Sequence, residues 1–128
     1  MNILKGERPI KILIVDDDPL TLEAIRCCLV AGGNEVIAAS SGFDAIGIAK
    51  NEHPDLIISD IMMPEMSGLS LLCLLKQVYF SRIPFIVISS LDKADVILSS
   101  LGLGADDFIS KPIDFDRLSS RVKSYYLD

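Results

Sequence analysis

Ile10-Lys11-Ile12-Leu13-Ile14-Val15-Asp16-Asp17-Asp18-Pro19 sets an almost continuously apolar, β-branched run directly before three carboxylates and a proline. A strand with one solvated face alternates apolar and polar residues. This run does not, so it reads as a strand covered on both faces by helices. A helix start follows: Asp18 is placed to cap it, and Pro19 suits the first helical position, where a missing N–H costs nothing. Strand, carboxylate loop and helix in immediate succession form the unit from which parallel α/β sheets are built.

The unit recurs. Glu35–Ala39, Leu56–Ser59, Phe85–Ser89 and Phe108–Ser110 read as four further strands. Among the intervening stretches, Pro19–Ala31 carries Leu22, Ile25 and Leu29 at helical spacing and stops at Gly32-Gly33, where left-handed backbone is cheap. Phe43–Asn51 places Phe43, Ile46 and Ala49 on one side, and Ser67–Val78 places Leu71, Leu72, Leu75 and Val78 likewise. Lys93–Leu101, closed by Gly102 and Gly104, and Asp114–Tyr126, with Leu118, Val122 and Tyr125, complete five βα repeats. Right-handed crossovers then give a five-stranded parallel sheet between two layers formed by five helices. No linker, low-complexity tract or internal repeat interrupts the pattern. With two residues after Tyr126, one domain is expected, its output reached by contact or lying outside this segment.

Composition bounds the function. The 128 residues are 50% hydrophobic and 23% charged, a globular balance too apolar for disorder. A net charge of -6 opposes direct nucleic-acid binding, which needs clustered Lys and Arg to displace phosphate counterions. Cys27, Cys28 and Cys73 form an odd set without metal-ligand spacing, which suits a reduced setting. The apolar runs fall far short of the roughly 20 residues needed to cross a bilayer. Met1 to Glu7 lacks a signal-peptide core. A soluble, cytoplasmic protein is the expectation.

The strand-like runs end on Asp16 with Asp17, on Asp60, on Ser89 and on Lys111. The carboxyl ends of neighbouring parallel strands open onto one crevice, so these groups can meet there. Two like charges about 4 Å apart cost about 4 kcal/mol at an effective dielectric near 20, so a cation is required among the carboxylates. A hard divalent ion, Mg²⁺ in particular, suits Asp16, Asp17 and Asp60 as oxygen ligands. Lys111 adds a second positive charge where an incoming phosphoryl group carries its oxygens, and Ser89 adds a hydroxyl donor. Asp60 stands alone after Leu56-Ile57-Ile58-Ser59, which makes it the preferred nucleophile on phosphorus, forming an acyl phosphate.

The Asp16-Asp17 pair, the segment Asp60-Ile61-Met62-Met63-Pro64-Glu65-Met66-Ser67-Gly68, Ser89, and Lys111-Pro112 resemble the receiver domains of two-component response regulators. The resemblance spans residues 9–126, leaving residues 1–8 as an N-terminal extension. It implies a flavodoxin-like, doubly wound α/β sheet of order 2-1-3-4-5, with the site where the strand order reverses. It implies that Asp60 accepts a phosphoryl group from a histidine kinase or histidine phosphotransfer protein. Asp17, Asp60 and the Met62 backbone carbonyl would hold Mg²⁺, with Mn²⁺ as an alternative, and Asp16 would help through a water. Lys111 would pair with phosphoryl oxygens, and the Lys111–Pro112 bond would be cis. Ser89 and Phe108 would switch in response, altering the face of the fourth helix, fifth strand and fifth helix for effectors or a second copy. Such a domain catalyses its own phosphorylation and dephosphorylation without being a conventional turnover enzyme.

One departure from the pattern is Ser90, where Ala or Gly is usual. Met62 and Leu91, both apolar, flank the expected path of the hydrolytic water, which points to a long-lived acyl phosphate. A flavodoxin-like cofactor binder would need a Ser, Thr or Gly-rich phosphate loop after the first strand, where Asp16 to Asp18 would repel the phosphate; two further rival functions remain at this stage. A haloacid-dehalogenase-type phosphatase would use Asp16 as the phosphorylated residue, Asp16 and Asp18 then forming an Asp-x-Asp motif. However, Leu20 stands where Thr or Val is expected, and no cap insertion follows. A phosphorylation-independent interaction module would not need the complete acidic, Ser and Lys set. His53, the cysteines, Met63 and Met66 read as surface or packing residues, and Asp106-Asp107 as a solvated turn.

Overall fold

The computed structural model describes residues 9–79, 81–91 and 93–125. Five strands alternate with helices in chain order: β1 Lys11–Val15, α1 Pro19–Ala31, β2 Glu35–Ala39, α2 Gly42–Glu52 and β3 Leu56–Asp60. There follow α3 Gly68–Cys73, β4 Phe85–Ser89, α4 Ala94–Gly102, β5 Asp107–Ser110 and α5 Phe115–Ser124. All pairings are parallel, and the order is β2-β1-β3-β4-β5. Expectations for residues 1–8 and Tyr126 lie outside the described residues.

Strand period decides which core each residue enters. Leu13, Val15, Ile57, Phe85 and Val87 point to one face and pack with Ala45, Ala49, Leu71, Leu72 and Leu75 from α2, α3 and the turn after it. The alternate residues Ile12, Ile14, Leu56, Ile58, Ile86, Ile88 and Ile109 meet Ile25 and Leu29 of α1 and Leu118 and Val122 of α5. Both faces of the central strands are thereby dry, as their unbroken apolar runs require.

Asp18 caps α1, its side chain accepting from Leu20 N–H, with Pro19 in the first turn. Asp114 caps α5 in the same way through Asp116 and Arg117 N–H. Three sequence expectations need correction. Phe43 is not on the inward stripe of α2: it is 57% exposed. The helix begins one residue earlier, after Ser41 as its cap, and Gly42, Ala45 and Ala49 are the buried set. The stretch through Val78 is not one α-helix, because α3 passes at Leu74 into a π-helical turn in which Tyr79 N–H donates to Leu74 C=O at 3.0 Å. Asp106 is exposed in a bend, as expected of a solvated turn, but Asp107 is not part of one. Asp106 Oδ2 accepts Phe85 N–H at 2.8 Å, and Asp107 opens β5 with a 3.0 Å ion pair to Arg121.

Candidate phosphoryl-transfer site

β1 and β3 are neighbours in the sheet with Val15 opposite Ser59, so the next residue on each, Asp16 and Asp60, emerge side by side at the carboxyl edge. Both are buried, at 2% and 6% exposure. Asp17, one residue on, is exposed, and one carboxylate oxygen from each of Asp16, Asp17 and Asp60 lies within 4.8 Å of the others. Lys111 follows β5, two strands away from β3. Its Nζ reaches back to Asp16 Oδ2 at 3.1 Å and Asp60 Oδ1 at 3.3 Å. The two carboxylates and the amine belong to separate βα units, yet one cation bridges them. Asp16 is oriented from its other oxygen as well, because Oδ1 accepts Asp18 N–H at 2.9 Å.

The electrostatics follow from this crowding. Burial, then the Asp16 charge, pushes the Asp60 carboxyl above the usual aspartate value, with Lys111 pulling the other way. Burial alone would lower the Lys111 amine. Asp16 and Asp60 outweigh that and hold it above the ordinary lysine value, so it remains a cation at neutral pH. Three carboxylates against one ammonium leave two negative charges in an all-oxygen donor set, which fits a hard divalent cation such as Mg²⁺ and not a soft metal.

Because the folded protein binds the Asp60 proton more tightly than the unfolded chain does, ionising Asp60 opposes folding. That cost is absent below the ordinary value of 3.8 and complete above the raised one. Asp60→Asn should therefore raise the metal-free thermal midpoint at pH 7.5 by a few degrees, the response to about 1 kcal/mol in a domain of this size. Calorimetry in EDTA checks this; an unchanged or lower midpoint would contradict the charge account.

Of the other residues expected at the site, Ser89 ends β4 and is fully buried, but its Oγ accepts Leu91 N–H at 3.0 Å in the following loop. Phe108 lies half-buried on β5 against the α2–α3 side core. Met62 follows Asp60 by two residues, its side chain 59% exposed. The Lys111–Pro112 bond is cis. Sequence reasoning assigned Gly68 no role. A Cβ built on it would stand 1.9 Å from the Asp60 carbonyl oxygen, so the first residue of α3 packs directly on the peptide of the central aspartate. Beyond its place at the end of the segment that carries the family resemblance, a small residue at the start of the helix, immediately after its Ser67 cap, was the available signal.

A family model for the response regulator receiver domain matches residues 12–123. The chain belongs to that family. Among curated relatives, response regulator MprA of Mycobacterium sp. (strain KMS) is 32% identical over 116 residues, covering 91% of this chain and 50% of that protein. Transcriptional regulatory protein KdpE of Mycobacterium tuberculosis is 34% identical over 113 residues, covering 88% and 49%. The receiver thus spans about half the length of the curated relatives it matches. The structure of the Francisella response regulator 1452 receiver domain superposes with a TM-score of 0.87 at 32% identity, covering 91% of this chain and 96% of that one. The CheX-CheY-BeF3-Mg+2 complex of Borrelia burgdorferi gives 0.88 at 30% identity, covering 95% and 92%. The fold and order inferred from the sequence are those of this family, and the chain is a receiver of two-component signal transduction. None of these matches supports the phosphatase or the phosphorylation-independent reading. Among the described residues no helix is long and apolar enough to cross a membrane.

Proposed function

We propose that this receiver, residues 9–126 with residues 1–8 as an extension, takes a phosphoryl group onto Asp60 from a histidine kinase or histidine phosphotransfer protein. One observation carries the reading: Lys111 Nζ bridges Asp16 and Asp60 across 95 residues of sequence, assembling amine and carboxylates at the carboxyl edge of the sheet. An Asp60 carboxylate oxygen attacks phosphorus as the P–N bond to the donor imidazole breaks. The acyl phosphate forms, and the imidazole departs with the electron pair and takes up a proton. Asp17, Asp60 and the Met62 carbonyl would hold Mg²⁺, or Mn²⁺ in its place, with Asp16 helping through a water. The ion supplies charge neutralisation for the transferring oxygens. Lys111 pairs with a phosphoryl oxygen, released from the carboxylates it now bridges. An apolar groove of about 340 Å³ beside Lys111, lined by Leu20, Ala24, Pro112, Ile113 and Phe115, suits docking of the donor protein.

Phosphorylation would then draw the Ser89 hydroxyl from Leu91 N–H toward the phosphoryl group. Phe108 would move with it, shifting a pre-existing equilibrium of the α4-β5-α5 face. Leu98 and Leu101 of α4, 68% and 44% exposed, give that face an apolar surface for an effector, an output domain or a second copy.

The test is intact-mass analysis after incubation with Mg²⁺ and acetyl phosphate. A phosphoryl adduct should form on the wild type, disappear in Asp60→Asn and in EDTA, and survive at lower yield in Asp16→Asn. An adduct on Asp60→Asn equal to that on the wild type would overturn the assignment. Met62 and Leu91, 59% and 42% exposed, stand on the loops after β3 and β4 and would shield the acyl phosphate from water. The Met62→Ala, Leu91→Ala double variant should lose the phosphoryl group several-fold faster in a radiolabel decay assay. Unchanged decay would reject the shielding role.

A further inference from the structure

We propose that the free edge of β2, together with the groove between it and α2, binds an extended basic peptide by strand addition. Among the described residues β2 ends the sheet, so its outer side faces no other described strand. Glu35 N–H donates to Ile10 C=O and Ala39 C=O accepts from Asp16 N–H, so in this parallel ladder Glu35, Ile37 and Ala39 turn toward β1. Val36 and Ala38 therefore direct their N–H and C=O groups outward, where no described strand pairs with them. Edge strands are ordinarily blunted by lysine, proline or a bulge. The opposite edge strand, β5, opens with the Asp107–Arg121 ion pair. Along β2, Glu35 is the only charge and there is no proline.

The groove beside that edge measures about 540 Å³. α2 builds its far wall from two adjoining stripes at helical spacing, Phe43, Gly47 and Asn51 beside Asp44, Ile48 and Glu52. Phe43, displaced from the core as described above, supplies an apolar wall at one end. A Cβ built on Gly47 would meet nothing within 4 Å, so the missing side chain leaves the middle of the groove open. Asn51 carries an amide able to bond a peptide backbone. Both charged lining residues, Asp44 and Glu52, are acidic. This decides the occupant. Lys11, opposite Glu35 in register and with its Nζ 3.2 Å from Glu52 C=O, offsets part of the charge at one end. On a chain of net charge -6, two-fold pairing of β2 with a second copy still brings two acidic α2 faces together, whereas a strand carrying Lys or Arg between apolar residues is complementary to Asp44 and Glu52.

The experiment selects binders to the full chain from a displayed library of random dodecapeptides and titrates the synthetic winners. Selected peptides should alternate apolar residues with Lys or Arg and shift the backbone amides of Val36 and Ala38 in ¹⁵N spectra. Gly47→Leu fills the groove, so affinity should fall by about tenfold or more while the acetyl phosphate adduct stays as in the wild type and the thermal midpoint does not fall, the helix gaining propensity. The Asp44→Asn, Glu52→Gln pair, which adds no bulk, should weaken binding and flatten its salt dependence. Selection of no peptide, or of peptides that bind Gly47→Leu and the neutralised pair as well as the wild type, would overturn the proposal. So would edge amides that shift on raising protein concentration alone, which would assign the edge to a second copy.

Discussion

Gly68→Ala should destabilise the receiver by about 3 kcal/mol or more, lowering the thermal midpoint by roughly 10 °C, a larger effect than alanine at any other described glycine. The reason is steric. The new Cβ would lie 1.9 Å from the Asp60 carbonyl oxygen, 2.8 Å from its carbonyl carbon and 3.0 Å from Ile61 Cα. All three atoms are backbone, so no rotamer change relieves the overlap. Either α3 backs away from the sheet, opening the core at Leu71 and Leu72, or the end of β3 moves and takes the Asp60 carboxylate with it. The second route also displaces the nucleophile, so phosphorylation yield should fall together with stability. The control is Gly47→Ala, whose Cβ meets nothing within 4 Å inside a helix. There the gain in helix propensity should stabilise by about 0.5–1 kcal/mol. Urea titrations of both variants in EDTA decide the matter, and a Gly68→Ala loss below about 1 kcal/mol would refute the close approach.

That glycine also shows where sequence reading runs out. The strands and the site were legible together, because side-chain direction and strand polarity are properties of single elements. Once Ile10–Val15 and Leu56–Ser59 are parallel neighbours, Asp16 and Asp60 have to share an edge. The Asp18 cap was legible for the same local reason, whereas Asp114 was read as part of its helix and proves to be its cap. Gly68 was not, because its partner is backbone across a loop, and nothing in residue type announces a missing Cβ as a packing surface. The π turn after Cys73 escaped because Leu71, Leu72 and Leu75 fall on one side under either helical period over so short a span. Phe43 was assigned inward by its spacing from Ile46 and Ala49, yet the position against Met66 went to Gly42, since a Cβ there would meet the Met66 sulfur at 2.7 Å. Ser89 was read correctly as a strand terminus, but its hydroxyl bond to Leu91 N–H depends on loop conformation that composition does not encode.

Lys111→Met tests the electrostatic half of the site with the second large effect. It leaves Asp16 and Asp60, 2% and 6% exposed, side by side without the amine that now lies 3.1 and 3.3 Å from them. Removing one partner of a buried ion pair costs about 3–5 kcal/mol; exposure of Asp17 and of part of the lysine lets water relieve some of it, so about 2–3 kcal/mol is expected at pH 8 in EDTA. The sign of the pH dependence separates this from lost packing. Lys111 holds the Asp60 value down against burial and Asp16, so its removal lets that value climb further. The folded variant then binds the Asp60 proton more tightly than the unfolded chain does. Its deficit relative to the wild type shrinks as pH falls through the interval above 3.8 and is largest where Asp60 must ionise. Adding Asp60→Asn to Lys111→Met should restore most of the loss, a non-additivity that identifies the two as one charge cluster. Mg²⁺ should narrow the deficit too, by mass action on the folded state. Phosphorylation should still fail in the metal-loaded variant, because no other cation described at this edge can take a phosphoryl oxygen. Thermal midpoints at pH 5.5 and pH 8, with EDTA and with Mg²⁺, supply the comparison. A deficit that ignores pH would mean that Lys111 acts through its methylene packing and not its charge.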